Sequence, residues 1–400
     1  MSPLGPTESL AAFDLGDPDV VRDPYPVLEG LRSAGSPVWH TGLGLWLAAR
    51  HQDADAVLRN RRLGRIFSPR EPDDVWETFN WLHTDSILDS EPPKHTRLRS
   101  LVAKAFARGH VERLRPRVHE LAAQLLDAAD PRGFDAIAAY AEPLPVMVVG
   151  ELLGVPPEEQ EPLRPWSQAI VKMYEYARTA DDEERARTAC AEFAAYVVEL
   201  ADRRRAQPGD DLVTHLVQVE EAGERLTERE LVATCVLLLN AGHEASVNGF
   251  GNGLVALLQR PDQWQRLVTE PAAVAATAVD EMLRYDSPLQ LFERTATEDV
   301  EIGGVLVRHG QRIAALLGSA NRDGEAFDGP DDFDVGRDPN PHLAFGAGIH
   351  FCLGAPLARL ELQITVPLLA QRFPDLHLVG VPRLRPTFVL RGYETVDVAG

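Results

Sequence analysis

Cysteine is scarce in this sequence, which has only Cys190, Cys235 and Cys352 among its 400 residues. An odd and low number of cysteines argues against a framework of disulfide bonds. Cys190 and Cys235 lie in apolar runs with helical spacing, where a cysteine most often serves as a small buried hydrophobic side chain. Cys352 lies among glycines instead, and it is the cysteine for which we expect chemistry.

The sequence also lacks long apolar runs and an excess of positive charge. No run approaches the roughly 20 apolar residues that a helix needs to cross a bilayer, and residues 1–16 lack the features of a secretory signal. With 61 acidic and 40 basic residues, the chain has a formal net charge of −21, which disfavours general binding to nucleic acids. We therefore expect a cytoplasmic protein that acts as a monomer and binds neither membranes nor nucleic acids.

The hydrophobic fraction of 44% is sufficient for a large buried core. Two short runs around Gly42 and Gly44 predict a β-hairpin, and short strands are expected again over residues 289–315 and 376–398. Helical periodicity dominates elsewhere. The predicted helices span residues 96–107, 111–129, 163–176, 182–206, 228–259, 272–285 and 356–373. The sequence therefore predicts a mainly α fold with small β-sheets, in a single domain over residues 1–400.

The helix predicted at residues 228–259 is unusually long. Thr227 and Glu230 have the spacing of a capping box at its start. A helix of this length would extend about 48 Å, so it has to pass through the middle of the protein. Gly242, His243 and Glu244 lie at its centre, where glycine and titratable residues are unusual, and we therefore expect a local distortion there.

The segment around Cys352 is the most informative part of the chain. It reads Phe-Gly-Ala-Gly-Ile-His-Phe-Cys-Leu-Gly over residues 345–354. Its first two glycines allow a tight turn, and the N-terminus of the helix that follows would lower the pKa of the Cys352 thiol. A thiolate held in this way is a good axial ligand for haem iron. A buried cysteine in a glycine-rich turn is the simpler alternative, whereas zinc is disfavoured because no second cysteine lies within ligand spacing.

This string, followed by Leu357, Ala358 and Arg359, closely resembles the haem-binding loop of the cytochrome P450 family. Glu281 and Arg284, three residues apart on an upstream helix, match a second landmark of that family. The resemblance implies a haem-thiolate monooxygenase with the cytochrome P450 fold. Its haem b would lie between the long central helix and the helix after the cysteine loop. Cys352 would be the metal ligand, and Glu281 and Arg284 would link their helix to the loop at residues 333–341.

The resemblance also assigns residues to the cofactor site. Haem propionates are anions that need cationic or hydrogen-bonding partners, and the family pattern places four such partners at His95, Arg99, Arg294 and His350. A solvated helix face is the alternative for His95 and Arg99 alone. The remaining cofactor-binding residues implied by the resemblance are Ala241, Gly242, Phe345, Gly346 and Gly354.

One departure from the family pattern lies on the long helix, where Ala245 replaces a threonine. The hydroxyl of that threonine helps to deliver protons when dioxygen is cleaved, and such proton transfer needs a relay. We consider three outcomes: a hydroxyl of the substrate holds a water molecule there, Glu244 and Ser246 relay protons through ordered water, or the reaction needs no relay. Glu244, Ala245 and Ser246 are thus the predicted catalytic positions. His243 is expected to turn away from the haem and to have a structural role.

The segment 94–117 has eight basic residues and a single acid, Glu112. In an acidic protein such a patch would steer an acidic electron donor. By resemblance, the donor is a ferredoxin with its NAD(P)H-dependent reductase. We predict docking at Arg108, Arg113 and Arg115, against the alternative of ordinary solvated arginines.

The resemblance places the substrate pocket between several segments, with Asn240 and Gln290 as its polar contacts. The other segments expected to line it are residues 67–88 (a predicted loop), 170–173, 240–241, 289–292 and 388–390. They are largely apolar, which indicates a mid-sized apolar substrate with some oxygens. We expect hydroxylation or epoxidation of a small molecule such as a polyketide, terpenoid or peptide. The alternative is a non-hydroxylating haem-thiolate enzyme for peroxide-driven oxidation, phenol coupling or dehydration.

Overall fold

The computed structural model describes residues 13–35, 37–103, 106, 108–219 and 225–400, apart from the side chains of residues 108–110. The helices, numbered α1 to α15, are Pro18–Arg22, Tyr25–Ser33, His51–Arg59, Asp73–Thr84, Lys94–Ala103, Arg108–Ala128, Pro143–Leu153, Leu163–Val171, Ala180–Ala206, Leu212–Gln218, Glu228–Leu258, Pro261–Thr269, Pro271–Tyr285, Leu317–Ala320 and Ala355–Arg372. Short 3₁₀ helices cover Pro157–Glu159, Lys172–Tyr174 and Gly348–His350, and Ile137–Ala141 is a π-helical turn.

The strands, numbered β1 to β12, are short. They are Val38–His40, Leu45–Ala48, Leu63–Gly64, Phe134–Asp135, Phe292–Ala296, Val300–Ile302, Val305–Val307, Arg312–Ala315, His377–Leu378, Arg383–Leu384, Tyr393–Thr395 and Asp397–Ala399. The main sheet has the order β1-β2-β8-β5-β3, in which β2 and β8 are parallel. The predicted hairpin is its antiparallel β1–β2 pair. The predicted fold class, mainly α with small β-sheets, is therefore confirmed.

Helix α11 is the long central helix that the sequence predicts. The hydroxyl of Thr227 accepts from the N–H of Glu230 at 3.2 Å and the carboxylate of Glu230 accepts from the N–H of Thr227 at 2.9 Å, so the capping box is confirmed. The helix contacts α4, α7, α8, α9 and α13 along its length. It continues without interruption from Glu228 to Leu258, so the predicted local distortion is wrong. An ion pair with Arg385 inside the core accommodates Glu244, the charged residue at the centre of α11.

Two segments, one before and one after His95, differ from the prediction. The sequence predicts a loop over residues 67–88, but this segment contains helix α4. Pro72 at the N-cap and Asp73 and Asp74 in the first turn are ordinary start signals that reveal this helix. The predicted helix at 163–176 is also shorter, because α8 ends at Val171 and a 3₁₀ turn follows.

Glu281 and Arg284 on α13 form a buried ion pair, with both side chains 0% exposed. Arg284 donates to the two carboxylate oxygens of Glu281 at 2.7 and 2.8 Å. The remaining donors of Arg284 and acceptors of Glu281 are satisfied by the loop after α14. These loop groups are the carbonyls of Asn321, Pro330 and Asp332, the side chains of Arg337 and Asn340, and the N–H of Asp334. The contacts confirm the predicted link between this helix and that loop.

Candidate active site

The cysteine loop turns tightly just before α15. Gly346 and Gly348 have φ angles of 67° and 71°, in the left-handed region that favours glycine. At Gly348 a Cβ would lie 2.5 Å from the carbonyl oxygen of Leu58, so a side chain would also collide there. The loop closes where the N–H of Cys352 donates to the carbonyl of Phe345 at 3.0 Å. The expected tight turn is therefore confirmed.

The sulfur of Cys352 lies at the N-terminus of α15, where the N–H groups of Gly354 and Ala355 donate to it. Burial nevertheless raises the pKa of the thiol, and these donors together with Arg99 and Arg359 offset only part of that effect. The predicted lowering effect of the helix N-terminus on the pKa is therefore present, but removal of water from the sulfur outweighs it. Deprotonation of this thiol requires a stronger cation, and coordination to a metal ion has that effect.

Arg294, on β5, is a buried cation in which two side-chain nitrogens have no hydrogen-bond partner among the described residues. It is 2% exposed. Its Nη1 donates to the carbonyl of Glu293 at 2.9 Å, while Nε and Nη2 have no partner within the described part of the chain. Burial lowers the pKa of Arg294 to about 9. An unpaired buried guanidinium is costly, so this position fits an anionic ligand.

His95 and His350 lie together, with their ring centroids 4.4 Å apart. His95 is 3% exposed, and its Nε2 has no hydrogen-bond partner among the described residues. Burial, followed by His350, lowers the pKa of His95 to about 4. The Nε2 of His350 is 2.9 Å from Glu91. A contact between His350 and a propionate therefore needs either its other ring nitrogen or a shift of Glu91.

Arg99 and Phe345 both border the cysteine loop. Arg99 donates to the carbonyl of Phe351 at 2.8 Å, one residue before the cysteine. The Phe345 ring is partly buried and lies under the guanidinium of Arg359, at 4.5 Å. The structure thus places Arg99 against the loop that contains Phe345 and Cys352. Unpaired buried donors beside a thiol are the combination that a haem, with its iron and two carboxylates, would satisfy.

Helix α11 is buried along most of its length, but Ala241 is exposed, and Gly242, Ala245 and Ser246 are partly exposed. One face of a core helix is thus accessible at four of the predicted cofactor and catalytic positions, which fits contact with a flat group. Gly242 has another neighbour as well, because a Cβ on it would lie 3.1 Å from Val149 of α7. The close approach that this glycine permits is to α7, and its contact with the porphyrin stays a prediction.

Glu244 lies in an ion pair that the sequence does not reveal. Its Oε2 accepts from Nη1 of Arg385 at 2.6 Å, and Nη2 of the same arginine donates to Glu142 at 3.2 Å. Burial raises the pKa of Glu244, although Arg385 counteracts it. Oε2 is thus held by the C-terminal segment, so a proton relay through Glu244 has to use Oε1 or a carboxylate that has released Arg385.

His243 is 0% exposed, neither of its ring nitrogens has a hydrogen-bond partner within the described ranges, and Nδ1 lies 3.9 Å from Oε1 of Glu244. Burial, followed by the charges of Arg385 and Arg164, lowers its pKa to about 3. The ring is therefore neutral near pH 7. This environment agrees with the predicted structural role.

Three of the predicted pocket segments surround one small cavity of about 20 Å³. They contribute Leu82, His83, Ser86 and Leu88, then Ile170, and finally Asn240. The Oδ1 atom of Asn240 has no partner in the part of the chain that the structure describes. The Nε2 of Gln290 donates to the carbonyl of Ser287 at 2.8 Å, while its Oε1 has no hydrogen-bond partner among the described residues. The contact of Gln290 with the substrate stays a prediction.

Sequence reasoning missed several residues that complete the site. Glu91 pairs with His350, Arg65 lies with Arg294 on the ring of Phe292, and Arg385 pairs with Glu244. Glu91 lies four residues before His95, so it could have been considered. Arg65 and Arg385 come from distant parts of the chain, and no local pattern identifies them.

The fold and this cysteine loop are those of a haem-thiolate protein. Comparison with known proteins agrees, since the family model for cytochrome P450 matches residues 167–383. Nocardicin C N-oxygenase of Nocardia uniformis subsp. tsuyamanensis is 41% identical over 384 residues, which cover 94% of each chain. Cytochrome P450 monooxygenase PikC of Streptomyces venezuelae is 41% identical over 408 residues, covering 98% of this chain and 95% of PikC.

Solved structures give the same answer. The structure of P450BioI in complex with hexadec-9Z-enoic acid ligated acyl carrier protein has a TM-score of 0.91 at 34% identity, covering 96% of this chain and 100% of that one. The chain belongs to the cytochrome P450 family. It is accordingly an oxidoreductase with haem as its cofactor, and haem iron with a thiolate ligand supplies the activation of dioxygen. No helix among the described residues is long and apolar enough to cross a bilayer.

Proposed function

We propose that this P450 hydroxylates or epoxidises a mid-sized, largely apolar small molecule of secondary metabolism, with dioxygen and two electrons from a ferredoxin system. The observation that carries the proposal is Cys352, whose sulfur accepts two backbone N–H groups in the loop where His350 packs against His95, a buried histidine with an unpaired Nε2. The name of one relative describes oxygen transfer to nocardicin C. We extend that class of reaction, and not that substrate, to this chain.

Within this proposal, Cys352 ligates the iron, and His95, Arg99, Arg294 and His350 bind the propionates. The unpaired nitrogens of His95 and Arg294 support this assignment most directly, because an anion would satisfy both. Phe345, Gly346 and Gly354 would surround the haem on the thiolate side. Ala241 and Gly242 would approach it from α11.

For proton delivery, we propose that a hydroxyl of the substrate holds a water molecule beside Ala245. The ion pair between Glu244 and Arg385 supports this choice over a relay through Glu244, because the carboxylate is engaged at 2.6 Å. Ser246 remains a candidate partner for that water. Ala245→Thr should improve the yield of product per reductant consumed for substrates without the hydroxyl. An unchanged yield would count against substrate assistance.

The experiment that tests the function is turnover under ¹⁸O₂. Metabolites that shift the haem absorption on binding are incubated with the protein, a ferredoxin, its reductase and NADPH. We expect a product that contains one labelled oxygen. Product formed only with hydrogen peroxide, or product without the label, would favour the alternative of non-hydroxylating chemistry, for which Ala245 is the supporting observation.

A further inference from the structure

Glu175 lies where the chain leaves the 3₁₀ helix Lys172–Tyr174, at the start of the connection from α8 to α9. The residue is only 4% exposed, and a buried carboxylate is costly unless hydrogen bonds satisfy it. Its partners are three consecutive backbone N–H groups near the C-terminus. Oε2 accepts from Phe388 at 3.2 Å and from Val389 at 3.1 Å, and Oε1 accepts from Leu390 at 2.8 Å.

Successive N–H groups that converge on one anion form a backbone nest, which the anion holds in shape. The other side of this nest is attached to the strand-like segment before β5. There the N–H of Gln290 donates to the carbonyl of Val389 at 2.9 Å, and Leu289 pairs with Leu390 in a single β-bridge. The loop 388–390 is therefore fixed between that segment and the Glu175 carboxylate.

The next residue strengthens the attachment. The hydroxyl of Tyr176 donates to Glu293 on β5, and Glu293 also accepts from Arg312 at 3.1 Å. These side chains and Glu175 line a common cleft of about 400 Å³. Two consecutive side chains after the 3₁₀ helix thus connect this part of the chain to the loop 388–390, which we expect to line the substrate pocket, and to β5.

We propose that Glu175 is a positioning residue for the substrate. Its carboxylate holds the backbone of residues 388–390, so that Phe388 and Val389 pack in the core and the partly exposed Leu390 is presented to the substrate. Glu175 touches no reacting atom and acts only through this loop. The inference rests on the proposed function, because it requires a substrate pocket beside the haem.

Glu175→Gln tests this role, because it removes the charge and turns one acceptor oxygen into an NH₂ group that faces an N–H. We expect amide hydrogen exchange at residues 388–390 to accelerate at least about 10-fold, the effect of losing hydrogen bonds to a charged acceptor. The Kd of the bulky azole econazole, read from haem absorption, should increase about 5-fold. Imidazole binds the iron without needing the pocket wall, so its Kd should change less than about 2-fold.

The matched control is Glu159→Gln, since the Glu159 carboxylate binds the side chains of Tyr196 and Arg203 instead of this loop. It should leave exchange at 388–390 and both Kd values unchanged. If Glu175→Gln does not fold, Glu175→Asp replaces it, with smaller changes in the same direction. Unchanged exchange and econazole binding in a variant that binds imidazole normally would overturn the role of Glu175. Wild-type protein that binds neither imidazole nor carbon monoxide would overturn the proposed function instead.

Discussion

Single residues around the cysteine loop explain why a haem fits this chain. Buried polar atoms in folded proteins nearly always have partners, yet Nε2 of His95 and two nitrogens of Arg294 have none among the residues described. These are the positions that the family resemblance assigns to the propionates. The local pattern of the sequence was sufficient to select them, because each lies in a short recognisable motif.

Residue roles that depend on distant partners could not be predicted in the same way. Glu244 has a polar side chain at a position where the family meets its oxygen. In the structure, Arg385 from the C-terminal segment holds its carboxylate. The sequence does not reveal such pairings, because they arise only when separate segments pack together.

His243 provides a prediction about pH. Its folded pKa of about 3 lies below the ordinary histidine value of 6.5, so the unfolded chain binds a proton between these two pH values that the folded protein does not. The stability that the neutral ring provides is complete above about pH 6.5 and decreases as the pH falls toward 3. For each pH unit in this window, wild type should lose about 1.4 kcal/mol that His243→Leu retains.

Thermal unfolding of the haem-loaded protein between pH 7 and pH 5 measures this effect. The Tm of His243→Leu should increase relative to wild type as the pH decreases. His309→Leu, at an exposed histidine, is the control and should show no such trend. Parallel Tm curves for wild type and His243→Leu would contradict the account.

Elements were predicted best where periodicity and end signals coincide. Helix α11 begins where its capping box indicates. Helix α13 begins at Pro271, one residue before the predicted start at residue 272. Helix α8 was predicted too long, because apolar spacing continues into the 3₁₀ turn Lys172–Tyr174. A 3₁₀ turn preserves much of that spacing, so periodicity alone cannot place the boundary.

The ion pair on α13 gives a prediction at the level of elements. Arg284→Met leaves the Glu281 carboxylate buried without its main partner, and it frees the carbonyl oxygens of the following loop. We expect a loss of about 3–5 kcal/mol in stability together with poor haem retention. Thermal unfolding and the ratio of haem to protein absorbance measure both effects.

The matched control is Arg266→Met. Arg266 pairs with Asp334 of the same loop at 2.9 Å, but both side chains are more than two-fifths exposed. An exposed pair contributes at most about 1 kcal/mol. Similar losses for the two variants would show that the buried pair has no special role in joining the helix to the loop.

At the scale of the whole molecule, the basic residues of the segment 94–117 predict where an electron donor docks. Arg115 is paired with Glu112 at 2.8 Å, and Arg113 is exposed on the same helix. The side chain of Arg108 lies outside the described residues. Of the three predicted docking residues, Arg113 is therefore the best position for a test.

Arg113→Glu should slow reduction by a ferredoxin about 3- to 10-fold at low ionic strength, and the difference should decrease as salt screens the charges. Stopped-flow reduction at several salt concentrations measures the rate. Arg132→Glu makes the same charge change at an exposed arginine outside the segment 94–117, and it should have little effect. Equal rates for wild type and Arg113→Glu would remove this arginine from the docking surface.

The single domain, the monomeric state and the cytoplasmic location stay predictions.

Coordination of haem iron by the sulfur of Cys352 is the central claim, and the absorption spectrum of the reduced protein under carbon monoxide tests it most directly. Thiolate ligation moves the main band to markedly longer wavelength than histidine ligation does. We predict this shifted band for the wild-type protein and its loss in Cys352→Ala, while Cys235→Ala retains it. A wild-type spectrum without the shift, or a shifted band that persists in Cys352→Ala, would contradict the account.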